Sequence, residues 1–146
     1  MAENKMKRLP EWMRVKVHTG TNRKTVTEDL RDLNLTTVCE EAKCPNLAEC
    51  WHQRTSTFML MGEDCTRACR FCAIGYKRPL PLDPKEPENV AEAAARMKLE
   101  YTVITSVARD DLPDEGAKHF AQTIEEVRKR LPETGIEVLT PDLNGR

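Results

Sequence analysis

Long apolar runs are missing from this chain: no stretch approaches the ~18 consecutive apolar residues that a membrane-spanning helix needs. The opening MAENKMKRLPEWMRVK carries positive charge with no apolar segment behind it, so a secretory leader is not expected. Charge of one sign is missing too. The 23 basic and 24 acidic residues nearly cancel to a net charge of -1, and no block of like charge marks a nucleic-acid tail or a membrane-surface patch. Serine is scarce, at Ser56 and Ser106 only. No phosphate loop, no G-x-G-x-x-G and no Ser-His-Asp arrangement is present, which removes the common nucleotide-binding and serine-hydrolase readings. Internal repeats and low-complexity segments are also lacking. At 146 residues the chain suits one modest domain and is too short for two well-buried ones. Its apolar fraction of 39% against 32% charged residues points to a thin core under a solvated surface. A cytoplasmic chain is expected, with neither nucleic acid nor membrane as partner.

What the chain does hold is cysteine. All six lie between Cys39 and Cys72, in two trios: Cys39, Cys44 and Cys50 in CEEAKCPNLAEC, then Cys65, Cys69 and Cys72 in CTRACRFC. In a reducing compartment such a set is not a disulfide framework, and metal ligation becomes the leading reading of the spacing. Burial as an apolar thiol is the usual fate of a single cysteine, not of two tight trios. A structural zinc site closes with four ligands, commonly as two C-x-x-C knuckles, and here only Cys69 and Cys72 form such a pair. His18, His52 and His119 lack zinc-finger spacing, and His52 reads as a solvated or core residue. Iron-sulfur clusters are bound by closely spaced thiolates, and a trio that covers three irons of a cubane leaves the fourth open.

Periodicity predicts an α/β chain. TVTEDLRDLNL reads as a short helix, with Val26, Leu30 and Leu33 at helical spacing. TFMLMG, residues 57 to 62, reads as a buried strand that runs directly into the second trio. GYKRPLPLDPKEPE is rich in proline and reads as an ordered, extended loop. A helix is expected from Glu88 to about Leu99, with Val90, Ala94 and Met97 on one face. YTVITS reads as a strand. Asp114 is placed to cap the next helix, whose apolar face reads as Ala117, Phe120, Ala121, Ile124, Val127 and Leu131. GIEVLT is the third strand. Strand, helix, strand, helix, strand is the alternation of a parallel sheet, in which ligand chemistry sits at the carboxyl ends of the strands. The Cys65 loop, TSVARDD and TPDLNGR each follow a strand.

The spacing C-x3-C-x2-C, with Phe71 before the last cysteine, resembles the signature of the radical S-adenosylmethionine enzymes. The upstream C-x4-C-x5-C, with CPNLAECW, TFMLMG and CTRACRFCAI, resembles the lipoyl synthase family in particular. RPLPLDPKEPENVAEA, VITSVARDDLPDEGA and IEVLTPDLNG extend the resemblance from about Leu9 to Arg146. It implies an N-terminal extension over residues 1–56 carrying an auxiliary cluster motif. Residues 57–146 would then be a partial (βα) barrel of the radical SAM type. A whole barrel takes ~250 residues, so about three strands leave it incomplete.

The same resemblance implies two [4Fe-4S] clusters and S-adenosylmethionine. One cluster, on Cys65, Cys69 and Cys72, would leave an iron for the amino and carboxylate groups of S-adenosylmethionine. The resulting 5'-deoxyadenosyl radical would take hydrogen from C6 and C8 of a protein-bound octanoyl group. The other cluster, on Cys39, Cys44 and Cys50, would be consumed as the donor of the two inserted sulfur atoms. No catalytic side chain is expected beyond the cluster ligands. Phe71 would stack near the adenine or pack as an apolar residue. Thr105, Ser106, Arg109 and Asp110 would bond the cofactor or form a capped polar loop. Arg67, Arg70 and Lys43 would lend positive charge to the clusters or stay solvated. Implied partners are octanoylated lipoyl carrier domains of 2-oxoacid dehydrogenases or the glycine cleavage H protein, with flavodoxin or ferredoxin as reductant. Three departures stand out. The family's auxiliary cluster takes a serine near the far C-terminus, and Ser56 and Ser106 come too early to supply it. Ala108 stands where many members carry an acidic residue, and Arg54 where a glycine is expected. The alternatives are a non-catalytic iron-sulfur electron-transfer module or inactive fragment, and a radical enzyme acting on peptides or tRNA, which should lack CPNLAECW.

Overall fold

The computed structural model describes Pro10 and residues 22–145. His18 and the opening segment lie outside the described residues. The three strands expected from periodicity form and pair in parallel. They are β2 (Thr55–Leu60), β5 (Tyr101–Ser106) and β6 (Gly135–Leu139), with Phe58 opposite Ile104 and Ile104 opposite Val138. A two-residue strand β1 (Thr36–Thr37) adds antiparallel to β2, so the sheet is mixed, in the order β1-β2-β5-β6. Two residues carry no periodicity, which is why β1 was not expected. β3 (Asp64–Cys65) and β4 (Gly75–Tyr76), equally short, form a separate parallel ribbon.

The helices are α1 (Asn22–Asp32), α2 (Val38–Glu41), α3 (Leu47–His52), α4 (Glu86–Arg96) and α5 (Ala117–Arg130). α4 starts two residues before the expected Glu88, because Pro87 fits the first turn, where its missing N–H is not needed. It stops where Lys98 turns left-handed (φ 52), letting the Leu99 amide reach back to the Ala94 carbonyl at 3.0 Å. The N-cap of α5 is Gly116 and not the expected Asp114, which lies two residues ahead and accepts from the amides of Gly116 (3.2 Å) and Lys118 (3.0 Å). The inner face of α5 differs from the expected one. Phe120 and Val127 are buried as expected, with Ile124 and Leu131 packed against the core, but Ala117 and Ala121 are exposed, and His119 and Thr123 are buried in their place. Small alanines fit either side of a helix, whereas His119 has a buried partner that fixes the rotation.

That partner is Glu86. Its carboxylate accepts the Met61 amide on both oxygens at 3.0 Å and lies 2.5 Å from His119 Nε2. The contact joins α4 and α5 to the end of β2. Met61 has φ 70, and Gly116 (φ 90) is backed so closely by its sulfur that a Cβ there would come within 2.3 Å. Phe58, Leu60 and Ile104 from the sheet, Val90 and Ala94 from α4, and Phe120 and Val127 from α5 share one core. Val26, Leu30, Leu47 and Trp51, which precede β2, belong to the same core. Arg96 on α4 bonds Asp29 and Asp32 of α1, at 3.0 and 3.2 Å. Among the described residues no helix is long and apolar enough to cross a membrane.

Candidate metal centre

The second trio lies on a loop that begins where β2 ends. Met61 and Gly62 (φ 92) turn the chain, and the β3–β4 ribbon closes the loop, with Cys65 opposite Tyr76. The Lys77 amide donates to the Cys65 carbonyl (3.2 Å), and Lys77 Nζ lies 3.4 Å from Asp64. Cys65 is half-buried against the core, while Cys69 and Cys72 are exposed, joined by a 3.1 Å bond from the Cys72 amide to the Cys69 carbonyl. Phe71 between them is 94% exposed, so it does not pack as a core residue here. A cleft of about 260 Å³ opens beside the ribbon, lined by Met61, Asp64, Leu80, Asp83 and Glu86 among others.

The loop is bonded to the ends of the neighbouring strands. The Thr66 amide donates to the Ala108 carbonyl at 3.1 Å, and the single Thr66 hydroxyl proton lies between that carbonyl (3.0 Å) and the Asp110 carboxylate (2.5 Å). Arg67 reaches Asp110 through Nε (2.9 Å) and Asp142 through Nη1 (2.9 Å). The Asp110 carboxyl is held far below the usual range, first by Arg67 and then by the Thr66 hydroxyl. Arg67 thus meets two carboxylates, and its charge is balanced within the protein. Beyond the two roles expected of it, charge lent to the cluster or a solvated side chain, Arg67 ties three strand ends together. Arg70 and Lys43 are exposed.

The polar residues expected around a cofactor divide. Thr105 donates to the Leu139 carbonyl (3.0 Å), and Asp110 is occupied by Arg67 and Thr66. Ser106 Oγ and Arg109 Nη1, by contrast, are buried without a hydrogen-bond partner among the described residues. Arg109 is only 2% exposed, with Nε and Nη2 both 2.9 Å from Asp111. Unmet buried donors at a strand's carboxyl end suit a polar ligand.

The first trio owes its spacing to a helix end. Thr37 caps α2 by accepting the Glu40 amide (3.3 Å). At the other end Lys43 turns left-handed (φ 49), its amide bonds Glu40, and the Cys44 amide bonds the Cys39 carbonyl at 3.1 Å. This is a Schellman closure, in which the two residues five apart that flank the turn are brought side by side. C-x4-C is that spacing. Cys50 follows on α3 beside the buried Trp51, and all three thiols are half-buried. Burial raises the Cys50 thiol pKa, and charge on Cys39 and Cys44 raises it further. A cationic cluster core would offset the burial and negative charge that act on Cys50. Among the described residues no three His, Cys, Asp or Glu side chains close around a point that a single metal ion could occupy. The donor set in both trios is thiolate alone, which suits an iron-sulfur core.

Residues 59–145, which hold the Cys65 loop and the ends of β5 and β6, match the radical SAM superfamily. The chain belongs to that superfamily. Residues 1–44 match the N-terminal domain of lipoyl synthase of the radical SAM family. Similar proteins include the lipoyl synthases of Chloroflexus aurantiacus, 53% identical over 94% of this chain and 45% of the relative, and of Laribacter hongkongensis, 55% identical over 95% and 44%. That of Burkholderia pseudomallei is 56% identical over 94% of this chain and 42% of its own length. The chain thus spans less than half the length of these relatives. The electron-carrier alternative is not favoured by them.

Sequence reasoning missed Thr66, Asp142 and the backbone of Ala108 as parts of this centre. Their signal was positional: each lies in or directly after a segment that leaves a strand's carboxyl end.

Proposed function

We propose that the chain is the cluster-bearing N-terminal part of a cytoplasmic lipoyl synthase, with residues 1–56 as its auxiliary-cluster extension and 57–146 as the start of a partial (βα) barrel. The observation that supports this most is the all-cysteine makeup of both trios, each positioned by its own local turn, in a chain over half identical to lipoyl synthases. When bound, two [4Fe-4S] clusters and S-adenosylmethionine supply one-electron chemistry and sulfur for insertion at C6 and C8 of a protein-bound octanoyl group. The chain's own residues ligate, orient and shield. Cys65, Cys69 and Cys72 hold one cluster, and Cys39, Cys44 and Cys50 the other. Ser106 and Arg109 offer their unmet donors to S-adenosylmethionine, and Phe71 offers an exposed ring to its adenine. Asp110 and Thr105 shape that site through the bonds they make to the protein. Octanoylated carrier domains are the substrate, and flavodoxin or ferredoxin the electron source.

Anaerobic reconstitution tests the reading. The wild-type chain should take up about eight irons, four per cluster. Replacing Cys65, Cys69 and Cys72 with Ala should halve that and abolish any spectral response to S-adenosylmethionine. Replacing Cys39, Cys44 and Cys50 should halve it and leave the response intact. Stoichiometric zinc with no iron uptake would sink the proposal.

A further inference from the structure

Cys65 Sγ accepts two backbone amides, from Arg67 at 3.4 Å and from Ala108 at 3.3 Å. Among the described residues no other cysteine sulfur has a recorded hydrogen bond. The Arg67 donor belongs to the cysteine's own loop, but the Ala108 donor comes from the turn after β5, 43 residues away in sequence. That turn is fastened over the loop bond by bond. Val107 N reaches the Leu60 carbonyl (3.4 Å), the Thr66 amide donates to the Ala108 carbonyl (3.1 Å), and the Thr66 hydroxyl bridges that carbonyl and the Asp110 carboxylate. The Asp110 amide returns to Thr66 Oγ1 (3.2 Å), and Arg67 holds the Asp110 carboxylate. The Ala108 N–H is thereby fixed on the sulfur with its side chain playing no part in these bonds. An acidic residue is not needed at 108 for this contact.

We infer that the Val107–Asp110 turn sets the reduction potential of the cluster held by Cys65, with the Ala108 amide as the tuning donor and Thr66 and Asp110 as positioning residues. The inference rests on the proposal that Cys65 ligates a cluster. Donors to a ligating sulfur favour the more negative charge state, and hydrogen bonds to the sulfurs are one of the determinants of cluster potential. One-electron reduction adds a negative charge, so the Ala108 amide makes reduction easier. The turn also carries Arg109, whose Nη1 is unmet, so a ligand bound there acts on the same backbone that touches Cys65.

The test is a redox titration followed by electron paramagnetic resonance on the reconstituted full chain. Ala108→Pro removes the donor, Ala108→Ser keeps it, and Asp110→Asn loosens the turn. Ala108→Pro should keep its iron and show one cluster about tenfold harder to reduce, about 59 mV lower for one electron. Asp110→Asn should move the same signal in the same direction by less. Ala108→Ser should match wild type, and the second cluster should stay put in every variant. Unmoved potentials at full iron content would overturn the inference. So would loss of iron in both Ala108→Pro and Asp110→Asn, since the turn would then be a scaffold for assembly. A wild-type chain that takes up no iron would instead overturn the cluster reading beneath it.

Discussion

Glu86 and His119 meet across the α4–α5 interface, Oε2 to Nε2, at 2.5 Å, and both side chains are buried. The same carboxylate carries the Met61 amide at the turn that launches the Cys65 loop. Glu86→Ala would leave that amide and the imidazole buried without a partner. A destabilisation of about 3 kcal/mol is expected, the sum of two unmet groups. Glu86→Gln, which keeps an acceptor for Met61, should lose less. Urea unfolding of both variants checks the order, and equal losses would show that the carboxylate's size matters more than its bonds.

Lys43 separates shape from charge in the first trio. Its φ of 49 suits glycine, and the turn it makes joins Cys44 to Cys39. Lys43→Gly should keep the full iron content although the charge is gone. Lys43→Val, whose branched side chain resists the left-handed region, should lose about half of it. Equal iron loss in both would restore the charge to importance. Iron analysis after anaerobic reconstitution reads the difference.

Arg54 also lies in the left-handed region, at φ 56, where the family leads one to expect glycine. It makes one exposed ion pair with Glu100, 3.3 Å long, and such pairs contribute little. Arg54→Gly should therefore stabilise the chain by about 0.5–1 kcal/mol, as relief of the backbone outweighs the lost pair. A raised thermal midpoint is the expected result.

Asp114 gives the fold an acid-sensitive joint. The amides of Lys118 and Gly116 hold its carboxyl below the ordinary range. A group depressed in the folded state lends stability above its unfolded value of about 3.9, and that contribution fades as pH falls through the folded value. Asp114→Asn should accordingly be less stable than wild type near neutrality. The gap should narrow as pH falls below about 4. Urea midpoints measured across that range would show it.

The strands β2, β5 and β6 and the helices α1, α4 and α5 were legible because burial on one side writes a period into the sequence. The two-residue strands were not, since Thr36–Thr37 and Asp64–Cys65 are too short to show one. The α5 face was misjudged at Ala117 and Ala121 because alanine reports burial weakly, whereas His119 is inward only through Glu86, 33 residues away. The six cysteines announced the centre. Arg67, Asp110 and Asp142 did not announce their mutual bonds, because ion pairs across 43 and 75 positions leave no local pattern.

The order of the sheet, β1-β2-β5-β6, is also the order of synthesis. On a ribosome the N-terminal part emerges first, so each strand of the sheet after β1 leaves the exit tunnel to find a partner already made. Each open edge waits only for the next strand of the sheet, and the β3–β4 ribbon pairs with itself outside that sheet. A nascent chain paused after β5 already carries three paired strands. Its unpaired amides and carbonyls then lie along the far side of β5, where β6 docks next.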